Sequence, residues 1–430
     1  MAWDFRTDPE FQGKLDWMDA FVRDEVEPLD YLEPDQAVMY APLDERLRTI
    51  VEPLKQRVRE QGLWASHLGP ELGGQGFGQV KLALINEILG RTAWGPIVFG
   101  CQAPDTSNAE ILAMFGTDEQ RANYLQPLLD GELFSAFSMT EPHAGADPRL
   151  LRTRAVRDGA DWVIDGEKYF TSNAGGAAFL IVTAVTNPDA DPYRRMSMFL
   201  VPTDAPGIEI LRDAGTMGDP PGQGLHPHIR YAGVRVGPDA LLGEPGAGFG
   251  IAQARLAGGR LHHAMRTVGL CRKAFDMMCE RALSRETYGG GVLAGKQLVQ
   301  AAIADSYLQI EQLRLLVMHT AWLMDTQGPL AARAHISAAK IAMERTALDV
   351  VRRALHLHGA LGVSNETPLA RMWQLAPALG IMDGPTEVHQ VLLAREVLKR
   401  YQPADGDWPT EFLPTKTAAA HARYRSDYPA

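Results

Sequence analysis

The run Met382-Asp383-Gly384-Pro385-Thr386-Glu387-Val388-His389 puts one carboxylate directly ahead of a Gly-Pro turn. Val391, Leu392, Leu393, Ala394, Val397 and Leu398 then follow at helical spacing. Proline suits the first helical position, where its missing N–H has no partner to lose, and Thr386 is an alternative cap. Asp383 is therefore expected at a helix N-terminus, held by a stiff turn. Such a carboxylate can cap the helix, a common use of aspartate. It can also act as a general base whose position the turn fixes. The stretch by itself leaves both open.

Two other stretches carry chemistry. Ala136-Phe137-Ser138-Met139-Thr140-Glu141-Pro142-His143-Ala144-Gly145-Ala146-Asp147 lies where helical texture gives way to strands. Its free N–H groups and hydroxyl suit a flavin edge or a phosphate, although an ordinary boundary loop reads the same way. Downstream, Phe170 and Ser172 are two apart, which predicts one strand face with an aromatic to cover a flat ring and a hydroxyl to bond its edge. A plain hairpin strand is the alternative. Other motifs are decoys. Gly290 to Lys296 matches a phosphate-loop pattern, but Gln297 replaces the magnesium-binding hydroxyl and a helix precedes it. The glycines from Gly73 to Gly78 lack both the dinucleotide-binding register and a preceding strand. His262-His263 and His356-x-His358 lack a metal-ligand partner at i+4, so packed or surface histidines are expected, and no metal.

The elements that must position these residues fall into three blocks of an α+β chain. Residues 1–132 read as an N-terminal helical domain. Thr7-Asp8-Pro9-Glu10 is a helix start ahead of Phe11, Leu15, Met18 and Val22. Leu47 to Val58, Val80 to Leu89 and Glu119 to Leu129 continue the pattern. Residues 133–246 read as a middle antiparallel β domain: short β-branched segments such as Phe179 to Val185 and Met196 to Val201 are separated by Asp-Gly and Pro-Gly turns. Residues 247–402 predict long helices packed as an antiparallel four-helix bundle, and 403–430 an extended tail. The 430 residues suffice for two or three domains. The net charge of −11 argues against nucleic acid. Three cysteines, Cys101, Cys271 and Cys279, form no disulfide framework. The acidic start is no signal peptide, and no apolar run is long enough for a membrane span. A cytoplasmic location is expected.

In joint order, Gly62-Leu63-Trp64, Leu72-Gly73-Gly74-Gln75-Gly76, Phe115-Gly116-Thr117-Asp118-Glu119-Gln120, Met139-Thr140-Glu141-Pro142, Gly166-Glu167-Lys168, Arg285 with Tyr288-Gly289, and Asp383-Gly384 resemble the acyl-CoA dehydrogenase family over roughly 5–400. The runs Gly259 to Thr267 and Met382 to His389 resemble the branch found as the dehydrogenase part of larger fusion proteins, with Asp as base in place of Glu.

The resemblance implies FAD, an acyl-CoA substrate, electron-transfer flavoprotein as electron acceptor, a role in fatty acid metabolism, and a homotetramer or homodimer. It implies α,β-dehydrogenation to the trans-2-enoyl-CoA: Asp383 removes the α-proton and flavin N5 takes the β-hydride. It places Met139, Thr140, Gly145, Ala146, Phe170 and Ser172 at the flavin. Arg285, Tyr288, Gln297, His356, Gly359, Pro385 and Glu387 fall at cofactor-binding positions, some of them serving a neighbouring subunit. Arg260 and Gly384 fall at the substrate end. His143, Ala146, His356, Pro385 and Glu387 depart from the commoner residues. A closed apolar pocket around the base is expected, since desolvation strengthens a carboxylate base. Alternatives on the same scaffold are a flavin oxidase, nitroalkane-oxidase-like or acyl-CoA oxidase, and a non-catalytic acyl-CoA-binding member.

Overall fold

A computed structural model describes residues 7–70 and 75–425; Leu72, Gly73 and Gly74 of the glycine-rich motif lie outside them, as does the start of the chain. The principal N-terminal helices are α1 (Pro9–Phe21), α2 (Glu45–Glu60), α3 (Gly78–Leu89) and α4 (Asp105–Phe115). Asp8 caps α1 by accepting from the Phe11 N–H at 2.9 Å, as the start signal predicts. Phe11, Leu15 and Met18 are buried one turn apart.

The middle region is a single sheet of eight strands: β1 (Ser135–Ser138), β2 (Arg154–Asp158), β3 (Asp161–Lys168), β4 (Phe179–Val185), β5 (Met196–Pro202), β6 (Ile208–Arg212), β7 (His228–Val236) and β8 (Leu241–Leu242). The order is β6-β7-β3-β2-β4-β5-β8, with β1 beside β4. Pairing is antiparallel except for β1 with β4 and the single β2–β4 pair. Nearly all of β4 and β5 is buried, which explains their continuous apolar runs.

The C-terminal region holds α5 (Gly248–Ser284), α6 (Gln297–Gln327), α7 (Arg333–His358), α8 (Leu369–Leu379) and α9 (Thr386–Leu398). Leu261, Met265 and Val268 of α5, Leu313 and Val317 of α6, and Met343 and Val350 of α7 share one core, and Ala83 of α3 enters it. The two helical regions therefore close on each other around the intervening strands. Their contact is tight where α3 ends. A Cβ on Gly269 would lie 2.1 Å from the Glu87 carbonyl oxygen, and one on Gly90 would lie 2.0 Å from that of Arg266.

Several expectations are corrected. Strand β3 ends at Lys168, so Phe170 and Ser172 do not share a strand face; Phe170 sits in a turn at φ +54°. The tail is not wholly extended: α10 (Leu413–Arg423) is helical, with proline near its start and an alanine run at its centre. Helix α4 went unforeseen because it has no plain apolar stripe: Asp105, Thr106, Ser107 and Asn108 are all buried. A chain of hydrogen bonds satisfies Asp105 and Asn108. Asp105 accepts from the Ser135 N–H at 2.8 Å, Asn108 Nδ2 donates to Ser135 Oγ at 2.9 Å, and Arg255 Nε donates to Asn108 Oδ1 at 2.8 Å.

Two predictions follow from this packing. Gly269→Ala drives a methyl into backbone and should cost about 1–3 kcal/mol, the usual range for overpacking, read as a lowered urea midpoint. His67 and His262 are buried beside each other near Arg266, and burial pushes each down to about 3. Both are neutral in the fold, while the unfolded chain takes up protons from 6.5 downward. Stability should be complete above that value and fall as pH drops toward 3. Each histidine should contribute a loss of about 2 kcal/mol by about pH 5, and urea titrations of wild type against His262→Gln should show the smaller slope in the variant.

Candidate active site

Asp383 occupies the turn between α8 and α9, in the left-handed region at φ +55°. It does not cap α9: Pro385 is the N-cap and no side chain caps this helix. The carboxylate instead turns toward α5, where His263 Nε2 lies 3.5 Å from Asp383 Oδ2. Arg260, one turn earlier on α5, donates its Nε–H to the Asp383 carbonyl at 2.9 Å. Helix α7 pins both ends of the same turn. Lys340 Nζ donates to the Leu379 carbonyl, and Thr386 Oγ1 donates to Glu344 Oε2 at 2.7 Å. The Thr386 N–H closes the turn on the Gly380 carbonyl at 2.8 Å.

The surroundings are not the apolar pocket expected. Arg255, Arg260, His263 and Lys340 all act electrostatically on Asp383. Burial pushes Lys340 down to about 8, with the Asp383 charge opposing. Burial also lowers Arg255 and Arg260 from the ordinary arginine range, with Asp383 again opposing. Across from the turn, α5 presents Gly258-Gly259. A Cβ on Gly259 would lie 3.0 Å from Ser107 Oγ and 3.8 Å from Asp383 Oδ2, so the absent side chain leaves the space between α4 and the carboxylate open. Glu110, one turn along α4 from Ser107, is pushed up to about 8 by burial, with Arg255 opposing.

The sheet contributes a second surface. Met139 and Thr140 follow β1 directly. Lys168 Nζ donates to the Met139 carbonyl at 2.8 Å, and the Tyr169 N–H to the Thr140 carbonyl at 2.9 Å. Glu141 is buried, paired with Lys168 at 2.9 Å, and accepts from the Arg152 and Thr153 N–H groups. The loop after β1 is thus rigid through its main chain, while Gly145 and Ala146 are exposed at its bend. Phe170 holds a conformation that bulky residues rarely adopt and keeps its ring 48% exposed. Ser172 Oγ meets His226 Nδ1 at 2.7 Å. A bare aromatic face, a polar pair beside it and a fixed Thr140 fit the edge and face of a flat heteroaromatic ring such as a flavin.

The other positions lie apart from this cluster. Arg285, Tyr288 and Gln297 flank the exposed link between α5 and α6; His356, Gly359 and Glu387 are also exposed. Gly384 sits beside Asp383 at φ +101°. Among the described residues no group of three metal-binding side chains occurs, and no helix is long and apolar enough to cross a membrane. A surface cleft of about 460 Å³ beside Tyr31 is lined by charges already paired, Arg91 with Glu27 and Lys273 with Glu27.

The sequence reading missed His263, Lys340, Ser107 and His226 as neighbours of these sites. The histidine pair at 262 and 263 drew attention only as a metal motif. Its placement one turn after Gly258-Gly259 was the available signal, because paired small residues mark a close approach between elements. Lys340 gave no signal, since nothing local distinguishes a buried lysine.

Comparison with known proteins agrees with this architecture. Family models match in order: the acyl-CoA dehydrogenase N-terminal domain over residues 13–132, the middle domain over 136–223, and the C-terminal domain over 246–398. The acyl-CoA dehydrogenase FadE2 of Mycobacterium tuberculosis is 44% identical over 366 residues, covering 84% of this chain and 88% of that protein. Acyl-CoA dehydrogenase family member 11 of Rattus norvegicus is 37% identical across 81% of this chain, which spans only 45% of that longer protein. Among solved structures, one from Mycobacterium abscessus described as an acyl-CoA dehydrogenase superposes with a TM-score of 0.84 at 37% identity, covering 92% of this chain and all of that one. Butyryl-CoA dehydrogenase from Megasphaera elsdenii superposes with 0.79 at 26% identity, over 92% of this chain and all of its own. The chain belongs to the acyl-CoA dehydrogenase family.

Proposed function

We propose that this flavoprotein oxidises an acyl-CoA thioester to its trans-2-enoyl-CoA, with Asp383 as the base that removes the α-proton. The observation that carries this reading is the Asp383 carboxylate. It is released from helix capping, fixed through its own main chain by Arg260, and opens on the space left by Gly259. FAD, when bound, supplies the acceptor for the β-hydride. Met139, Thr140, Gly145, Ala146, Phe170 and Ser172 would hold its ring system, and His226 would join Ser172. Arg260 and Gly384 border the substrate end. The main-chain N–H of Asp383 would receive the thioester oxygen, where one such donor typically contributes about 3 kcal/mol to the transition state.

Arg285, Tyr288, Gln297, His356, Gly359, Pro385 and Glu387 complete the cofactor site in a homodimer or homotetramer, the exposed ones reaching a neighbouring subunit. Their exposure in the single chain supports that reading. Electron-transfer flavoprotein is the proposed acceptor.

Asp383→Asn is the informative variant, because asparagine tolerates the left-handed turn that alanine does not. It should retain FAD and lose flavin reduction by about 10²- to 10⁴-fold, the range for removing a general base. Anaerobic bleaching of the visible flavin band by saturated acyl-CoA esters measures it. Bleaching at the wild-type rate would remove Asp383 from the role. Stoichiometric peroxide under air would identify an oxidase instead.

A further inference from the structure

We infer that His263 is a positioning residue for the base: its ring fixes the Asp383 carboxylate through Oδ2 and leaves the other oxygen to take the substrate proton. This inference rests on the assignment of Asp383 as base. Three features of the fold carry it. His263 Nε2 is 3.5 Å from Asp383 Oδ2, just beyond hydrogen-bond range, a separation that catalytic pairs shorten when substrate arrives. No other group among the described residues forms a hydrogen bond to the Asp383 side chain. Moreover, His263 and Arg260 are three apart on α5, so one helical turn holds the main chain of Asp383 with one residue and faces its carboxylate with the other.

The charges around the ring set its state. Asp383 faces it from the turn before α9, Lys340 from α7, and Arg255 and Arg266 from its own helix. His262 is the adjacent titratable group on α5. Burial and the three cations keep the imidazole neutral, and only Asp383 works in the other direction. A neutral ring facing a carboxylate carries its proton on Nε2 and donates it. Protonation of the second nitrogen at lower pH turns the pair into carboxylate and imidazolium. That holds the base more strongly in its charged form and makes it a poorer proton acceptor. The rate of proton removal should therefore decline on the acid side as the His263 ring takes up its second proton.

The test uses the FAD-loaded full chain and single-turnover flavin reduction by whichever saturated acyl-CoA ester bleaches the wild type fastest. His263→Leu should slow maximal reduction by up to about a hundredfold, the penalty of a slightly misplaced reacting group, with the half-saturating ester concentration, FAD content and melting temperature unchanged. His263→Gln, which keeps an N–H donor, should recover most of the rate and should lose the part of the acid-side decline that protonation of the ring adds in the wild type. A Leu variant with wild-type rate and pH profile overturns the inference. So does a Gln variant as slow as Leu with a lowered melting temperature, because that pattern reports packing alone. The Asp383→Asn variant separates the two levels. If it stays active, the base assignment itself fails. If it is inactive while His263→Leu behaves as wild type, only the role of His263 fails.

Discussion

The hydrogen bond from Arg260 to the Asp383 carbonyl is the contact on which the site depends. A non-glycine residue at φ +55° costs on the order of 1 kcal/mol, and the short turn would otherwise relax. The guanidinium is itself buried enough to be lowered in pKa, so it needs the acceptor as much as the turn needs the donor. Lys340 and Glu344, one helical turn apart on α7, fasten the residues on either side. Strain at one residue is thus held by two helices of the bundle. Without those anchors, the simplest fate of Asp383 is to fall back toward the start of α9 and cap it.

The same anchors explain how a carboxylate is kept beneath the surface without a dedicated ion pair. Burying an isolated charge is costly. Here Arg255, Arg260 and Lys340 surround it at different distances, and none of them forms a direct side-chain bridge to it. Arg255 is held off by Asn108 and by stacking over the Phe137 ring at 4.0 Å. Arg260 spends its Nε–H on a carbonyl, and Lys340 does the same with its ammonium group. The positive field surrounds the carboxylate while its oxygens stay free of a bridging cation. A direct bidentate bridge would offset burial more fully and would occupy both oxygens.

Residue patterning reveals the scaffold well and the site only in part. The long helices were legible because an apolar stripe recurs along them, and α5 begins and ends where the pattern does. Strands β4 and β5 were legible because both their faces are buried. What escaped was held by contacts distant in sequence. Helix α4 buries hydroxyls and amides whose partners lie on β1 and α5. Strand β1 is two serines around an alanine and a phenylalanine, and it becomes a strand only by lying against β4. For Phe170, alternation predicts a strand face, while β3 ends at Lys168, whose ammonium is paired with Glu141. Asp383 itself was identified as the candidate base, but its helix-cap alternative could be dismissed only once the direction of its side chain was known.

The short Asp383 side chain and the bare helix opposite it belong together. Aspartate has one methylene fewer than glutamate, so its carboxylate stays close to the turn and to α5. Any side chain at position 259 would begin 3.8 Å from Asp383 Oδ2 and 3.0 Å from Ser107 Oγ, where it would fill the space into which the carboxylate opens. Glycine there keeps that space clear. Along the same face, α4 comes near enough for Glu110 to lie 3.1 Å from the Cβ position of Gly258. A carboxylate drawn back toward the bundle and a polar wall facing it are therefore linked. The open space between them follows from the pair Asp383 and Gly259 jointly, and neither residue alone would define it.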